Sequence, residues 1–124
     1  MKAQLKEMYS LQIPEALKEF LPEASKNFGI TIRLMVGVEG VDQSESFDIL
    51  VCTPTWIQDQ IILEKYMWGR HMLIVNEYDY ELIFQSLSTR ISSYSGKDWN
   101  EVANKIARIA AWEFEDYRSP DSYG

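Results

Sequence analysis

From Phe28 to Val38 the chain alternates without a break. Phe28, Ile30, Ile32, Leu34, Val36 and Val38 fall on one side, and Thr31, Arg33 and Met35 on the other. A side-chain period of two is that of a β-strand with one face turned to a core. Gly37, Gly40 and the polar run Asp42, Gln43, Ser44, Glu45 and Ser46 then mark a loop. After it, Phe47, Ile49 and Val51 alternate against Asp48, Leu50 and Cys52. Two such strands joined by a loop of this length predict an antiparallel hairpin with a long tip. A further strand is expected over residues 1–9, with Ala3 and Leu5 toward the core.

The rest of the chain reads mainly as helix. Thr53 supplies a capping oxygen and Pro54 suits the first helical position, so a helix should run to about Lys65, with Gly69 breaking the chain after it. Residues 71–75 read as a short buried strand. Asp79 caps the next helix, striped by Tyr80, Ile83, Phe84, Leu87, Ile91 and Tyr94. Asp98 caps the last one, with Glu101 three residues on as in a capping box. Its stripe is Trp99, Val102, Ala103, Ile106, Ile109 and Ala110. Residues 14–27 form a connector punctuated by Pro14 and Pro22, in which Pro14 to Phe20 could make two helical turns. The order predicts an α+β fold: one domain over residues 1–124, with a single mainly antiparallel sheet of about four strands and helices packed on one face. Ile32, Leu34, Ile49, Val51, Trp99, Ile106 and Trp112 are expected in its core.

Several function classes are disfavoured by what the sequence contains. It has one cysteine, Cys52, at the end of an apolar run, which excludes an internal disulfide framework and fits a reducing cytoplasm. No apolar run approaches the roughly 18 residues of a membrane span, and no apolar leader follows the first lysines. A cytoplasmic location with no membrane association is therefore expected. No phosphate loop, dinucleotide turn or nucleophile elbow occurs. With one His and one Cys and no calcium-loop spacing among the carboxylates, no metal and no cofactor are expected.

The net charge of −7 is concentrated in the middle of the chain. Residues 35–82 carry Glu39, Asp42, Glu45, Asp48, Asp59, Glu64, Glu77, Asp79 and Glu81 against only Lys65 and Arg70. Such a field repels nucleic acid and steers basic partners, although an acid-rich surface also serves solubility alone.

One constellation deserves chemical weighing: Trp68-Gly69-Arg70-His71. An Arg–His pair near carboxylates suits acid–base chemistry or phosphate binding. The simpler expectation is structural. Gly69 would supply a positive φ at the turn, and Arg70 would pair internally with a carboxylate such as Asp48 or Glu113. The tail after Ala111 alternates large aromatics with acids, through Trp112, Glu113, Phe114, Glu115, Asp116 and Tyr117. Trp112 and Phe114 are expected in the core. The acids form either a solvated edge or a contact patch.

Read in order, Ser46-Phe47-Asp48-Ile49, Cys52-Thr53-Pro54-Thr55-Trp56, Gly69-Arg70-His71, Asp98-Trp99-Asn100-Glu101-Val102-Ala103 and Trp112-Glu113-Phe114-Glu115-Asp116-Tyr117 span most of the chain. Together they resemble immunity protein family eight, small bacterial proteins that neutralise polymorphic and contact-dependent toxins. The resemblance implies a non-enzymatic protein whose partner is the cognate C-terminal toxin domain, expected to be a basic nuclease. It carries no catalytic residues to transfer. Charge placement then points to Glu39, Asp42 and Glu45 at the hairpin tip as toxin-binding residues, followed by Glu77, Asp79 and Glu81, then Glu115 and Asp116. Gly69, Arg70, Trp99 and Trp112 are expected to be structural. The competing readings are a small enzyme built on Arg70, His71 and carboxylates, and a structural adaptor subunit.

Overall fold

The computed structural model describes residues 1–115. Among the described residues the fold is α+β, with five strands in one mostly antiparallel open sheet and three helices. In chain order these are β1 (Ala3–Tyr9), β2 (Gly29–Val38), β3 (Glu45–Cys52), α1 (Pro54–Glu64), β4 (Met72–Ile74), α2 (Tyr80–Ser92), α3 (Trp99–Ile106) and β5 (Ala111–Trp112). The long alternating segments form the expected hairpin, in register from Gly29 opposite Cys52 to Val36 opposite Glu45. β1 lies antiparallel on the other side of β2. Its register shifts between Leu5 and Glu7. The extra residue there keeps Ala3 and Leu5 buried and lets Met8 pack against the same core.

The far edge of β3 is shared by two short strands. β5 pairs antiparallel with Phe47 and Asp48, and β4 pairs parallel with Leu50, Val51 and Cys52. The expected buried strand at 71–75 is thus only three residues long and edge-like. Met72 and Leu73 are half-buried and Ile74 is exposed, leaving Val75 as its one buried neighbour.

The core sits between one sheet face and two helices. Ile30, Ile32, Leu34, Val36, Phe47, Ile49 and Val51 meet Ile83, Leu87 and Ile91 of α2 and Val102, Ala103 and Ile106 of α3. Asp79 and Asp98 cap these helices as the sequence predicts, accepting from the backbone N–H of Leu82 and Glu101. The regular part of α3 stops at Ile106, but hydrogen-bonded turns carry its stripe on, so that Ala107 and Ala110 are also buried. Trp99 is only half-buried, at the margin of the core.

α1 is built differently. Thr53 is fully buried and its Oγ1 accepts from the N–H of both Trp56 and Phe28, so the cap ties the helix start to the base of β2. Trp56 lies where a Cβ on Gly29 would stand, 2.2 Å from the ring, so only glycine admits this contact. Gly29 belongs with Thr31 and Arg33 on the sheet face away from the core, which places Trp56 on that face. No residue of α1 is buried.

The connector before β2 contains no helix. Pro14 to Phe20 forms a single turn in which the Glu19 and Phe20 N–H groups reach the Ala16 carbonyl. A stretch this short, bounded by prolines, cannot offset the cost of helix nucleation.

Candidate functional site

The acidic residues singled out by charge fall into separate places. Glu39 and Asp42 are exposed at the hairpin tip, where the Glu39 N–H donates to the Lys2 carbonyl. Gly37 closes this tip: a Cβ there would stand 2.1 Å from the Gln43 carbonyl oxygen. Glu45 is half-buried at the base of the tip, and its carboxylate accepts the indole N–H of Trp112 at 2.7 Å. Beside the tip lies a hollow of about 480 Å³ lined by Met1, Val38, Val41, Glu45 and Trp99 among others.

Glu77, Asp79 and Glu81 are exposed at the start of α2. That start is at the opposite end of the sheet. Tyr80 lies beside Glu7 to Ser10, whereas the Tyr94 carbonyl, just past the other end of α2, receives the Ala3 N–H. Asp79 is committed to its cap. Glu115 is occupied by an ion pair, and Asp116 lies outside the described residues.

The residues around His71 depart from the expected arrangement. Gly69 has no positive φ; the left-handed residues here are Lys65, with φ 77°, and His71, with φ 56°. Lys65 ends α1, its N–H returning to the Ile61 carbonyl. Arg70 does not reach Asp48 or Glu113. It pairs with Glu115 at 2.7 Å on the surface. Asp48 is taken by Arg33, directly opposite it across β2 and β3, through Nε–Oδ1 at 2.9 Å and Nη2–Oδ2 at 3.1 Å. This hydrogen-bonded pairing, with its charge attraction, raises the Arg33 pKa further above its ordinary value. The sequence cue was present, since Arg33 and Asp48 share the outward side of facing strands, but it required the register. His71 Nε2 lies 2.8 Å from the Ala107 carbonyl oxygen, tying the start of β4 to the end of α3.

Trp112 is buried and stacks on Phe47 with ring centroids 6.0 Å apart, and Trp99 meets Phe47 edge-on at 6.4 Å. Phe114, expected in the core, is 40% exposed and touches Trp112 edge-on. The β5 pairing ends at Trp112, so the next aromatic falls beyond the sheet. Cys52 is buried, and burial pushes its thiol pKa up, away from reactivity.

Sequence reasoning missed one surface. Along the end of α1 and the turn after it, Ile62 (61%), Leu63 (73%), Tyr66 (69%) and Trp68 (85%) are exposed one after another. The signal was the density of large apolar residues at 61–68; the expected helix took it in only as far as Lys65, with no face assigned.

Among the described residues, no cluster of three or more His, Cys, Asp or Glu side chains could hold a metal, and no helix is long and apolar enough to cross a membrane. What the fold brings to its surface is an acidic tip, a helix with no buried residue and a set of tethers between edge elements. The chain belongs to the immunity protein 8 family, whose sequence profile matches residues 3–117. Membership makes it an immunity protein of a toxin system, with a cognate toxin as partner. No curated protein and no solved structure gives a significant match.

Proposed function

We propose that this protein neutralises a cognate toxin domain by direct contact, without catalysing a reaction. Family membership over residues 3–117 carries the reading. The surface chemistry supports it. The acids of residues 35–82 suit a basic toxin domain, such as a nuclease whose cleft binds a polyanion. Glu39 and Asp42 at the exposed tip, with Glu45 behind them, would speed encounter with such a cleft and compete with its substrate. Action in the cytoplasm of the cell that carries it, against a toxin delivered by a contact-dependent system, fits the sequence.

An enzyme built on Arg70 and His71 finds less support. The Arg70 guanidinium is engaged by Glu115, and one nitrogen of His71 meets the Ala107 carbonyl. The test is co-expression with a candidate cognate toxin domain, sought in the genes next to this one. The expected result is rescue of growth and a complex that co-purifies in a fixed ratio. Rescue without any stable complex, or with substoichiometric immunity protein, would overturn the reading in favour of enzymatic detoxification.

A further inference from the structure

Helix α1 is capped, terminated and seated, yet none of its residues is fully buried. Its start is fixed by Thr53 and by Trp56 on Gly29, its end by the left-handed Lys65. The turn that follows is held as well. Arg70 is tied to Glu115 and His71 to Ala107. Between these fixed points the chain presents Ile62, Leu63, Tyr66 and Trp68, a run of large apolar side chains in one short stretch of surface. Soluble domains seldom leave so many large apolar side chains uncovered within a few residues unless something docks there.

The charge around the patch says what kind of partner. α1 has no basic residue in its last turn; Glu64 stands there, at the negative end of the helix dipole. Asp59 lies a turn and a half earlier, held only by the neutral amide of Asn27. Among the described residues, no ion pair neutralises either acid. Of the nearby cations, Arg70 is matched by Glu115, and Lys65, whose ammonium bonds the Ile62 carbonyl, leaves two acids against one base. The patch also joins the acidic tip through β5. Trp112 bonds Glu45 at the base of the tip, and Glu115, three residues further, bonds Arg70, two residues past Trp68.

A membrane surface fits poorly, because interfacial helices carry Lys and Arg on their polar face. A second copy would bring the same acidic rim against itself. We infer that the end of α1 and the turn to Trp68 form the anchoring surface for the toxin, seated in an apolar groove rimmed by lysine or arginine. The inference rests on the proposed function and goes beyond it, since it assigns the anchor to residues other than the acidic tip. Charges set the rate of encounter, and the desolvated aromatic and aliphatic side chains set the residence time.

The experiment uses the full chain and the candidate toxin domain of the co-expression test, with association and dissociation rates measured for wild type, Leu63→Gln, Trp68→Gln and the double variant. Both side chains are exposed, so thermal melting should stay at the wild-type value. The double variant should dissociate about 100-fold faster with little change in association, as hot-spot truncations do. Glu64→Lys should slow association, and the loss should shrink as salt rises. If wild type binds and the double variant dissociates at the same rate, the anchor lies elsewhere and the proposed function stands. If Glu64→Lys speeds association, the partner's rim is acidic and the assigned chemistry is wrong. If wild type does not bind the toxin domain at all, the proposed function falls and takes this inference with it. If the wild type is a dimer that these variants split without altering toxin dissociation, the patch is a self-interface and the inference is overturned.

Discussion

Tyr78 shows how much one side chain can organise. Its hydroxyl donates to the Leu17 carbonyl, its N–H donates to Ser25, and its ring meets Phe20 and Phe28 edge-on, each at 5.3 Å. One residue thus fastens the connector to the core. Burial, with a smaller contribution from the charge of Tyr80, pushes its pKa up to about 12. Because the folded value lies above the ordinary value of 10.0, the neutral form is the one the fold prefers. Its contribution is whole below pH 10 and is lost as pH rises through about 12. Tyr78→Phe should cost about 1 kcal/mol at neutral pH for the lost hydrogen bond. It should also flatten the loss of stability between pH 10 and 12; denaturant melts of both proteins across that range check the sign. Arg70 gives the opposite lesson. With its partner Glu115 at the surface, Arg70→Ala should lower stability by no more than about 1 kcal/mol, whereas a buried partner would have made the loss several times larger. A fall of 3 kcal/mol or more, on the order expected for a broken buried pair, would show that the pairing is not the solvated one described.

At the scale of elements, legibility followed burial on one face. β2 and β3 could be read because an alternating pattern has one solution once a core lies on one side. The caps at Thr53, Asp79 and Asp98 were legible because they depend on a side chain and a backbone N–H three residues away. β4 and β5 were harder, since two or three residues on a shared edge leave no period to detect. α1 was placed correctly in the chain but its surroundings were not legible, because a helix with no buried residue still contains Ile and Leu. Its stability must therefore come from its ends, and Thr53 is where this is tested. Thr53→Val keeps the shape but strips the oxygen from two N–H groups, that of Phe28 among them in a fully buried site. The expected loss is about 2–3 kcal/mol, more than an exposed cap would give. Urea denaturation measures it, and a loss below 0.5 kcal/mol, roughly the least expected even of an exposed cap, would mean that the Phe28 N–H finds another acceptor.

For the whole molecule, the fold class was legible and the distribution of charge was not. In the sequence the acids of residues 35–82 form one field. In the fold, Glu39 and Asp42 sit by Lys2 at one end of the sheet, while Glu77 and Glu81 flank the start of α2 at the other. The seven residues of β1 run between those ends, about 20 Å at the rise of a strand. Exposed charges are screened over about 8 Å at physiological ionic strength, so the two groups act on an approaching partner independently. The tip has an adjoining hollow, and β5 links it to the patch beyond α1, so it is the end that should steer the toxin. Reversing Glu39 and Asp42 to Lys should slow association about tenfold at low salt and much less at high salt, with dissociation nearly unchanged. Reversing Glu77 and Glu81 should leave association close to wild type. Both pairs are exposed, so neither change should unfold the protein. Stopped-flow association with the toxin domain at two salt concentrations separates the cases. Equal slowing by both pairs would mean that the net charge of the molecule steers. Slowing by the α2 pair alone would move the encounter surface to the other end of the sheet.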